Sequence, residues 1–375
     1  MTLTIEGERS PEAGTDGVKT SVYCPEHIIT NSQLVDYFQA TGTTTSSGKE
    51  VTEEEIVRRT GIHRRHWHQP LDGTVSPRSQ VVPSMGNCVA EKLVDELRLS
   101  EINCLFALTS FPYRQSLSRA VARHLEMTFL KPVTSVYPDG YGECASPIWL
   151  LHILRKRSQQ FWGEKILVVA SEYLSPIADG LNLTLLSDGA AAMSFTYGKD
   201  LEVLASAGRY FPKLGDLIRV SIKPEYVPPQ GSLFLFKVGQ PHETGRNREP
   251  DLEVNYGKIE GPKVFKFALD RNIWQSLIQN SLETVQLSPD QIDLVIPHQA
   301  NGRITEGLRE LLPKLGIDAE VYSNIENHGN TGAVSIPLAW HEANLEGKIK
   351  KGDHILLLGF GAGMTAAAAV VKVLK

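Results

Sequence analysis

Cysteine is scarce in this 375-residue sequence, and the four that occur share neither a CxxC pair nor a Cys/His spacing typical of metal modules. That pattern excludes a disulfide scaffold and a zinc finger of the usual kind. We therefore expect four reduced thiols, at Cys24, Cys88, Cys104 and Cys144, and we predict neither a metal nor a cofactor.

Long apolar runs and an excess of positive charge are also missing. No apolar stretch approaches the roughly 18 residues that a bilayer-spanning helix needs. Residues 1–17 are acidic and lack the apolar core of a secretion signal. The formal net charge is −5, and no Lys/Arg run is interleaved with aromatic residues. We expect a soluble cytoplasmic protein that binds neither membranes nor nucleic acid.

What the sequence does contain is a weak internal repeat. Three segments of the first half are echoed in the same order and at a near-constant offset in the second half, pairing Ile102 with Ile292, Val136 with Val321 and Ile166 with Ile355. The runs ILVVAS, LVIPH and ILLLGF are continuously apolar, as in strands covered on both faces by helices. The pattern predicts an α/β protein built from two similar halves.

We place the halves at residues 1–200 and 201–375. Between them, residues 211–261 are rich in proline, glycine and charge, and they are too few for a core of their own. We expect a loop excursion or cap here.

Cys144 is the first candidate for chemistry. It follows a strand-like run and the turn DGYGE, and Pro147 suits the first turn of the helix that comes after it. A thiol at a helix N-terminus is expected to have a lowered pKa, because the helix dipole and free N–H groups favour the thiolate. The alternative is a small buried side chain without a role, which we retain for Cys88 and Cys104.

His298 and Asn330 are the second and third candidates. His298 follows the strand LVIP, and sites in open α/β sheets tend to form where strands end. Asn330 lies in NHGNTG, where its amide is able to donate to a developing oxyanion. Taken alone, each also fits an ordinary loop or turn residue. The GFGAGMT segment from Gly359 would let backbone N–H groups approach a ligand, but it lacks the spacing of a dinucleotide fingerprint.

Together these segments resemble the β-ketoacyl-acyl carrier protein synthase III family of the thiolase superfamily. The resemblance rests on YCPEHIITNSQL, VRRTGIHRRH, DGYGECASP, LLSDGAAAMSF, IPHQANGRI, NHGNTGAVSIPLAW and LLLGFGAGMT, and it covers most of the chain. It implies a thiolase fold, in which two duplicated α/β halves form a five-layer α-β-α-β-α sandwich, and it implies a homodimer.

The resemblance also implies roles for individual residues. Cys144 would carry an acyl group as a thioester, with an oxyanion hole formed by its own backbone N–H and that of Ala362. His298 and Asn330 would stabilise the enolate formed when a malonyl-type carboxylate leaves as CO2. The resemblance places the remaining four in the pocket or on its rim: Phe360 beside the nucleophile, Gly361 in the turn, Asn301 on the pantetheine side, and Arg303 in acyl carrier protein docking.

Two departures from the family bear on substrate and pathway. Glu55 stands where the family has a tryptophan that stacks on coenzyme A, so a carrier-protein donor is favoured over a coenzyme A donor. Glu143 stands where the family has alanine, and we expect it to be an outward-facing structural carboxylate or else to alter the charge of the site. With the unusual loop SFPYRQS at 110–116, these changes favour a specialised enzyme of secondary metabolism.

Other functions stay open on the sequence. The same fold transfers acyl groups from the cysteine to an alcohol or amine in some relatives, although a retained Asn330 favours condensation. The second thioester is able to be a β-ketoacyl or long acyl chain instead of a malonyl group. A papain-like hydrolase also orders Cys, His and Asn, but it lacks these surroundings. A non-catalytic relative would not need the complete set.

Overall fold

The computed structural model describes residues 17–45, 47–71, 76–96, 101–110, 116–130, 133–141, 143–178, 180–222, 233–234 and 254–375. Its strands are β1 (Lys19–Tyr23), β2 (His27–Thr30), β3 (Arg64–Trp67), β4 (Ile102–Leu108), β5 (Val133–Val136), β6 (Gly140–Tyr141), β7 (Lys165–Glu172), β8 (Gly189–Thr196), β9 (Leu201–Tyr210), β10 (Ile218–Ile222), β11 (Leu233–Phe234), β12 (Val254–Ile259), β13 (Leu294–Pro297), β14 (Glu320–Val321), β15 (His354–Gly361) and β16 (Thr365–Val373). Its α-helices are α1 (Asn31–Thr41), α2 (Glu53–Thr60), α3 (Arg78–Glu96), α4 (Leu117–Phe129), α5 (Ser146–Lys156), α6 (Ser158–Phe161), α7 (Gly261–Ala268), α8 (Arg271–Thr284), α9 (Gly302–Leu311), α10 (Ile325–His328) and α11 (Ser335–Leu345).

Two sheets carry the repeat seen in the sequence. In the first, the strand order is β1-β8-β7-β4, with β5 also pairing with β4; in the second, it is β9-β16-β15-β13-β14. The directions agree as well, since β7–β8 and β15–β16 are antiparallel whereas β4–β7 and β13–β15 are parallel. The predicted duplication is therefore present in the topology.

Helices cover both faces of each sheet. Apolar side chains of α5 and α11 pack in one core with residues of both sheets, so these two helices form the middle layer. Helices α3 and α4 cover the outer face of the first sheet, and α8 and α9 cover that of the second. This arrangement is the expected five-layer sandwich, and it explains why the central strands are apolar throughout. The exact division at residue 200 stays a prediction, which the membership of β9 in the second sheet supports.

The predicted loop excursion contains regular structure that its composition hid. Strands β10 and β12 pair as an antiparallel ribbon, with a register shift between Arg219 and Val220. The two-residue strand β11 adds to the edge of the first sheet through β6. Residues 223–232 and 235–253 lie outside the described residues, as do residues 111–115 of the loop at 110–116.

Local sequence signals place the helix ends that matter for the site. Pro147 falls in the first turn of α5, where its missing N–H is not needed. The side chain of Asn301 accepts from the N–H of Arg303 and so caps α9. No helix among the described residues has the length and apolarity to cross a membrane.

Candidate active site

The structure brings the predicted site residues to one cavity. A cavity of about 140 Å³ opens between the halves, with apolar walls from β10, β12, α7 and α9. Of the eight residues singled out in the sequence, seven line it: Cys144, His298, Asn301, Asn330, Phe360, Gly361 and Ala362. Arg303 is exposed one residue before Ile304, which also lines the cavity.

Cys144 lies in a single 3₁₀ turn, Glu143–Ala145, directly before α5. The predicted position near a helix N-terminus is therefore confirmed, but the predicted lowering of its pKa is wrong. Burial raises the pKa of the Cys144 thiol well above its usual range, and the carboxyl groups of Glu143 and Glu172 add to this. Desolvation penalises the thiolate more than the helix end favours it.

Glu143 faces inward, so the expectation of an outward carboxylate is wrong. Its side chain is 1% exposed, lines the cavity, and has one carboxyl oxygen without a hydrogen-bond partner among the described residues. Burial, and then the nearby Glu172, raise its pKa well above the usual range. Its φ of 52° lies in the left-handed region, which costs a non-glycine residue on the order of 1 kcal/mol.

The carboxyl group of Glu172 is fully buried near that of Glu143. Its Oε1 accepts hydrogen bonds from the N–H and hydroxyl of Ser110, both at 2.6 Å, and from the N–H of Ala333 at 3.2 Å. The guanidinium of Arg78 lies 3.8 Å from Oε2. Burial nevertheless dominates and raises the pKa of Glu172 to about 7.

His298 is held as a neutral imidazole. It follows β13 directly, and its backbone N–H continues the pairing with β15 by donating to the carbonyl of Leu358 at 2.7 Å. Its Nδ1 lies 2.7 Å from the hydroxyl of Ser335, at the start of α11, and its ring packs edge-on against Phe360. Burial lowers the pKa of His298 to about 3. The imidazole is thus uncharged at physiological pH, with Nε2 left for the cavity.

Asn330 has its amide oriented by the backbone. Its Oδ1 accepts from the N–H of Gly332 at 2.9 Å, which leaves the amide NH₂ as the free end of the side chain. Its own backbone is fixed by bonds to Leu185 and Ser187. The result is an uncharged donor on a rigid turn, in the same cavity as Cys144 and His298.

Asn301 links the cavity to α2. The amide of Asn301 donates to the carbonyl of Arg59 at 3.1 Å. There Gly61 and Gly302 pack so closely that a Cβ on either would lie 3.0 Å from the Cα of the other. Glu55 on α2 is ion-paired with Arg58 and Arg59, so these arginines partly offset its negative charge.

The sequence left the orientation of Glu143 open between an outward carboxylate and one that alters the charge of the site, and it gave no prediction for the buried Glu172. The positive φ of Glu143 gives no sequence signal, because most residues in that conformation are glycine. Glu172 had only one signal, a carboxylate at the end of a fully apolar strand, where an unpaired charge is costly.

Comparison with known proteins agrees with this geometry. Residues 282–373 match the family described as 3-oxoacyl-[acyl-carrier-protein] synthase III, C terminal. The β-ketoacyl-[acyl-carrier-protein] synthase III of Caldanaerobacter subterraneus subsp. tengcongensis is 31% identical over 358 residues, which cover 94% of this chain and 96% of that protein.

Solved structures show the same fold. The crystal structure of 3-oxoacyl-[acyl-carrier-protein] synthase III from Aquifex aeolicus superposes with a TM-score of 0.69 at 26% identity, covering 96% of this chain and 100% of that one. The priming β-ketosynthase of the R1128 polyketide pathway, at 22% identity, gives 0.68 over 98% of each chain and attests the fold alone. On the length and identity of these matches, the chain belongs to the β-ketoacyl-acyl carrier protein synthase III family of condensing enzymes.

Proposed function

We propose that this enzyme takes an acyl group onto Cys144 and condenses it with a malonyl-type thioester on an acyl carrier protein, with loss of CO2. The observation that carries the proposal is the pairing of two uncharged donors, His298 and Asn330, in one cavity with a single thiol. Acyl transfer alone needs the thiol and an oxyanion hole. A second pair of donors is useful where negative charge develops on another carbonyl.

The first step is thioester exchange. The Cys144 sulfur bonds to the acyl carbonyl carbon, the bond to the donor's sulfur breaks, and the thiol proton passes to the departing sulfur. The backbone N–H groups of Cys144 and Ala362 are the proposed oxyanion hole. Gly361 supports this, because a Cβ there would lie 3.3 Å from the Cys144 nitrogen and crowd the turn.

The second step is decarboxylation. The carboxylate of the malonyl group leaves as CO2, and its bonding electrons form an enolate on the thioester. We propose that Ser335 donates to Nδ1 of His298, so that Nε2–H and the Asn330 amide both donate to this enolate. A low pKa suits this role, since a neutral imidazole stabilises the anion without protonating the carbanion.

The third step forms the carbon–carbon bond. The carbanion attacks the acyl carbon on Cys144, the carbon–sulfur bond breaks, and the thiolate is reprotonated. The raised pKa of Cys144 makes that reprotonation favourable at neutral pH and resets the enzyme.

Carrier-protein partnership and pathway are further parts of the proposal. Arg303 is exposed beside the cavity and stacks over Phe265, with its guanidinium carbon 5.4 Å from the ring centre, which presents a fixed positive charge to an acidic carrier protein. We propose a carrier-protein acyl donor, because α2 presents Glu55 and not an aromatic ring. We also propose a cytoplasmic homodimer that acts in specialised metabolism, such as polyketide priming.

The test is intact-mass spectrometry of the protein with a panel of acyl-carrier-protein and acyl-coenzyme A donors, followed by malonyl-carrier protein. We expect an adduct on Cys144 that disappears with release of CO2 and appearance of a β-ketoacyl product. The Cys144→Ala variant is expected to show no adduct. An adduct that persists with malonyl-carrier protein, but is discharged by an alcohol or amine, would replace this proposal with acyl transfer.

A further inference from the structure

A second thiol–imidazole cluster lies outside the cavity. Cys24 follows β1, His66 is in β3, and His328 ends the short helix α10. One donor atom from each lies within 4.8 Å of the other two. None of the three lines the active-site cavity, and the proposed reaction uses none of them.

Each imidazole in this cluster has one nitrogen already held by an oxygen acceptor. Nδ1 of His66 lies 2.9 Å from the carbonyl of Pro25, and because a carbonyl only accepts, that nitrogen carries the hydrogen. Nε2 of His328 lies 2.6 Å from Oε1 of Glu342. This leaves Nε2 of His66 and Nδ1 of His328 as the ligating atoms. Metal-binding histidines are characteristically oriented in this way by a carbonyl or carboxylate.

The carboxylate behind His328 is itself fixed. The other oxygen of Glu342 accepts from the side-chain amide of Asn324 at 2.8 Å. A carboxylate held at both oxygens keeps the imidazole ring in one orientation, which is what a preformed ligand site requires.

The spacing of the donor atoms fits a tetrahedral ion. Sγ of Cys24 lies 3.7 Å from Nδ1 of His328. Zinc bonds of about 2.3 Å to sulfur and about 2.0–2.1 Å to nitrogen, at a tetrahedral angle, separate the two ligand atoms by about 3.6 Å. The rings of His66 and His328 are stacked, with centres 5.5 Å apart and planes 22° from parallel, so the two imidazoles are direct neighbours.

We propose that Cys24, His66 and His328 bind a zinc ion. Thiolate and imidazole together select a borderline-soft tetrahedral cation over magnesium or calcium. Three protein ligands leave a fourth position for water. All three side chains are half-buried, so an ion has access from solvent.

The site lies beside the catalytic turn. His328 is separated from Asn330 only by Gly329, whose φ of 66° is left-handed. An ion on His328 therefore fixes the chain two residues before the proposed donor.

The experiment is metal titration of the full chain after removal of bound metal with a chelator. Cobalt is the first probe, because a thiolate ligand gives a near-ultraviolet charge-transfer band and tetrahedral geometry gives intense visible bands. Zinc is then titrated to displace it, and bound zinc is measured by native mass spectrometry. The variants are Cys24→Ser and His66→Gln, with Cys88→Ser and Cys144→Ala as matched controls.

We expect one equivalent of cobalt with both spectral features in the parent protein and in the two controls. Cys24→Ser loses the charge-transfer band, and His66→Gln weakens binding by at least tenfold, while circular dichroism shows that both are folded. Absence of binding, or an unchanged band in Cys24→Ser, would overturn the proposal. Loss of the band in Cys144→Ala would also overturn it, by moving the metal to the active site.

A labelling experiment separates the metal site from a simple thiolate–imidazolium pair. Zinc is expected to slow alkylation of Cys24 by iodoacetamide and to leave alkylation of Cys88 unchanged. Fast alkylation of Cys24 at any zinc concentration would mean that the cluster only activates a thiol. Neither result depends on whether the enzyme condenses malonyl thioesters.

Discussion

A thiol and an imidazole come together in two regions, around Cys144 and His298 and around Cys24 and His328. The regions differ in the group that is hydrogen-bonded to the imidazole. Behind His298 is the hydroxyl of Ser335; behind His328 is the carboxylate of Glu342. A hydroxyl partner leaves a buried imidazole neutral, as suits a donor to a transient enolate. A carboxylate partner makes the ring more basic, as suits a ligand for a cation. The same two residue types therefore serve two chemistries, which the third group decides.

The neighbours of the two thiols differ in the same sense. Cys144 lies next to two buried carboxyl groups, which disfavour its thiolate. Cys24 lies next to an imidazole that is held by a carboxylate. This difference fits the proposed roles, in which Cys144 accepts and releases an acyl group and Cys24 binds a cation.

The largest expected effect tests whether His298 and Asn330 donate hydrogen bonds to the enolate, as the comparison of the two regions assumes. In His298→Ala and in Asn330→Ala we expect malonyl decarboxylation to fall by roughly 10²–10³-fold, the usual cost of one oxyanion donor. Acylation of Cys144 should continue. Release of labelled CO2 and intact mass measure the two steps separately. His124→Ala, which alters a histidine paired with Glu91 on the surface, is the control. Equal loss of both steps would contradict the division of roles.

The buried carboxyl group of Glu172 should make the free energy of unfolding depend on pH. Because burial raises the pKa of Glu172 to about 7 from its ordinary value of 4.5, the folded state holds a proton that the unfolded state has released. The stabilisation is present below about pH 4.5 and is lost as the pH rises to about 7, by at most about 3 kcal/mol.

Urea unfolding of the parent protein across this range measures the effect. Glu172→Gln is expected to remove this contribution from the pH dependence of the free energy of unfolding. The contributions of Glu143 and Asp188, whose pKa values burial raises, and the opposite contribution of His298, whose pKa burial lowers, remain in both proteins. Glu55→Gln removes an exposed, ion-paired carboxylate and should leave the slope as it was. A difference in the free energy of unfolding between the parent and Glu172→Gln that stays constant from pH 5 to 7 would show that Glu172 is ionised throughout.

Removing the carboxylate of Glu342 tests the second region, the cluster of Cys24, His66 and His328. Glu342→Gln keeps a hydrogen-bond acceptor behind His328 but removes the charge, and we expect zinc affinity to fall by about 10–100-fold. Competition with a chromophoric chelator measures it. Glu346→Gln, which alters the partner of the Tyr322 hydroxyl, is the matched control. Equal affinities in the two variants would remove Glu342 from the site.

The smallest expected effect concerns Glu143. Because its carboxyl group helps to raise the pKa of Cys144, Glu143→Gln should move the pH profile of Cys144 alkylation toward acid and speed alkylation severalfold at a fixed pH. Burial, which is the larger cause, remains. Peptide mapping after timed iodoacetamide treatment measures the rate, with Cys88 in the same molecule as the internal reference. A profile shifted toward alkali would mean that Glu143 assists the thiolate.

Much of the fold was predictable because the strands are long and apolar. The runs ILVVAS and ILLLGF lie within β7 and β15, and LVIPH covers β13 and the residue after it, in sheets of matching order. The clustering of the candidate site residues was predictable because they sit in short motifs, such as the one in which His298 follows β13. The β10–β12 ribbon was not, because proline, glycine and charge mask its alternation.

The remaining features depend on tertiary structure. Glu143 points inward because its backbone is left-handed, and a glutamate in the sequence gives no indication of that conformation. Cys24, His66 and His328 come from three distant segments, so no spacing in the sequence reveals them. The prediction of no metal rested on spacing alone, and spacing carries no information about a site assembled by folding.

The contact between Gly61 and Gly302 has an evolutionary consequence. The two backbones cross so closely that neither position has room for a methyl group, and Gly61 also requires a left-handed φ of 67°. A single mutation at either position pushes α2 away from α9 and carries Asn301 with it. We therefore expect descendants of this enzyme to vary along the cavity walls and to retain both glycines at this crossing.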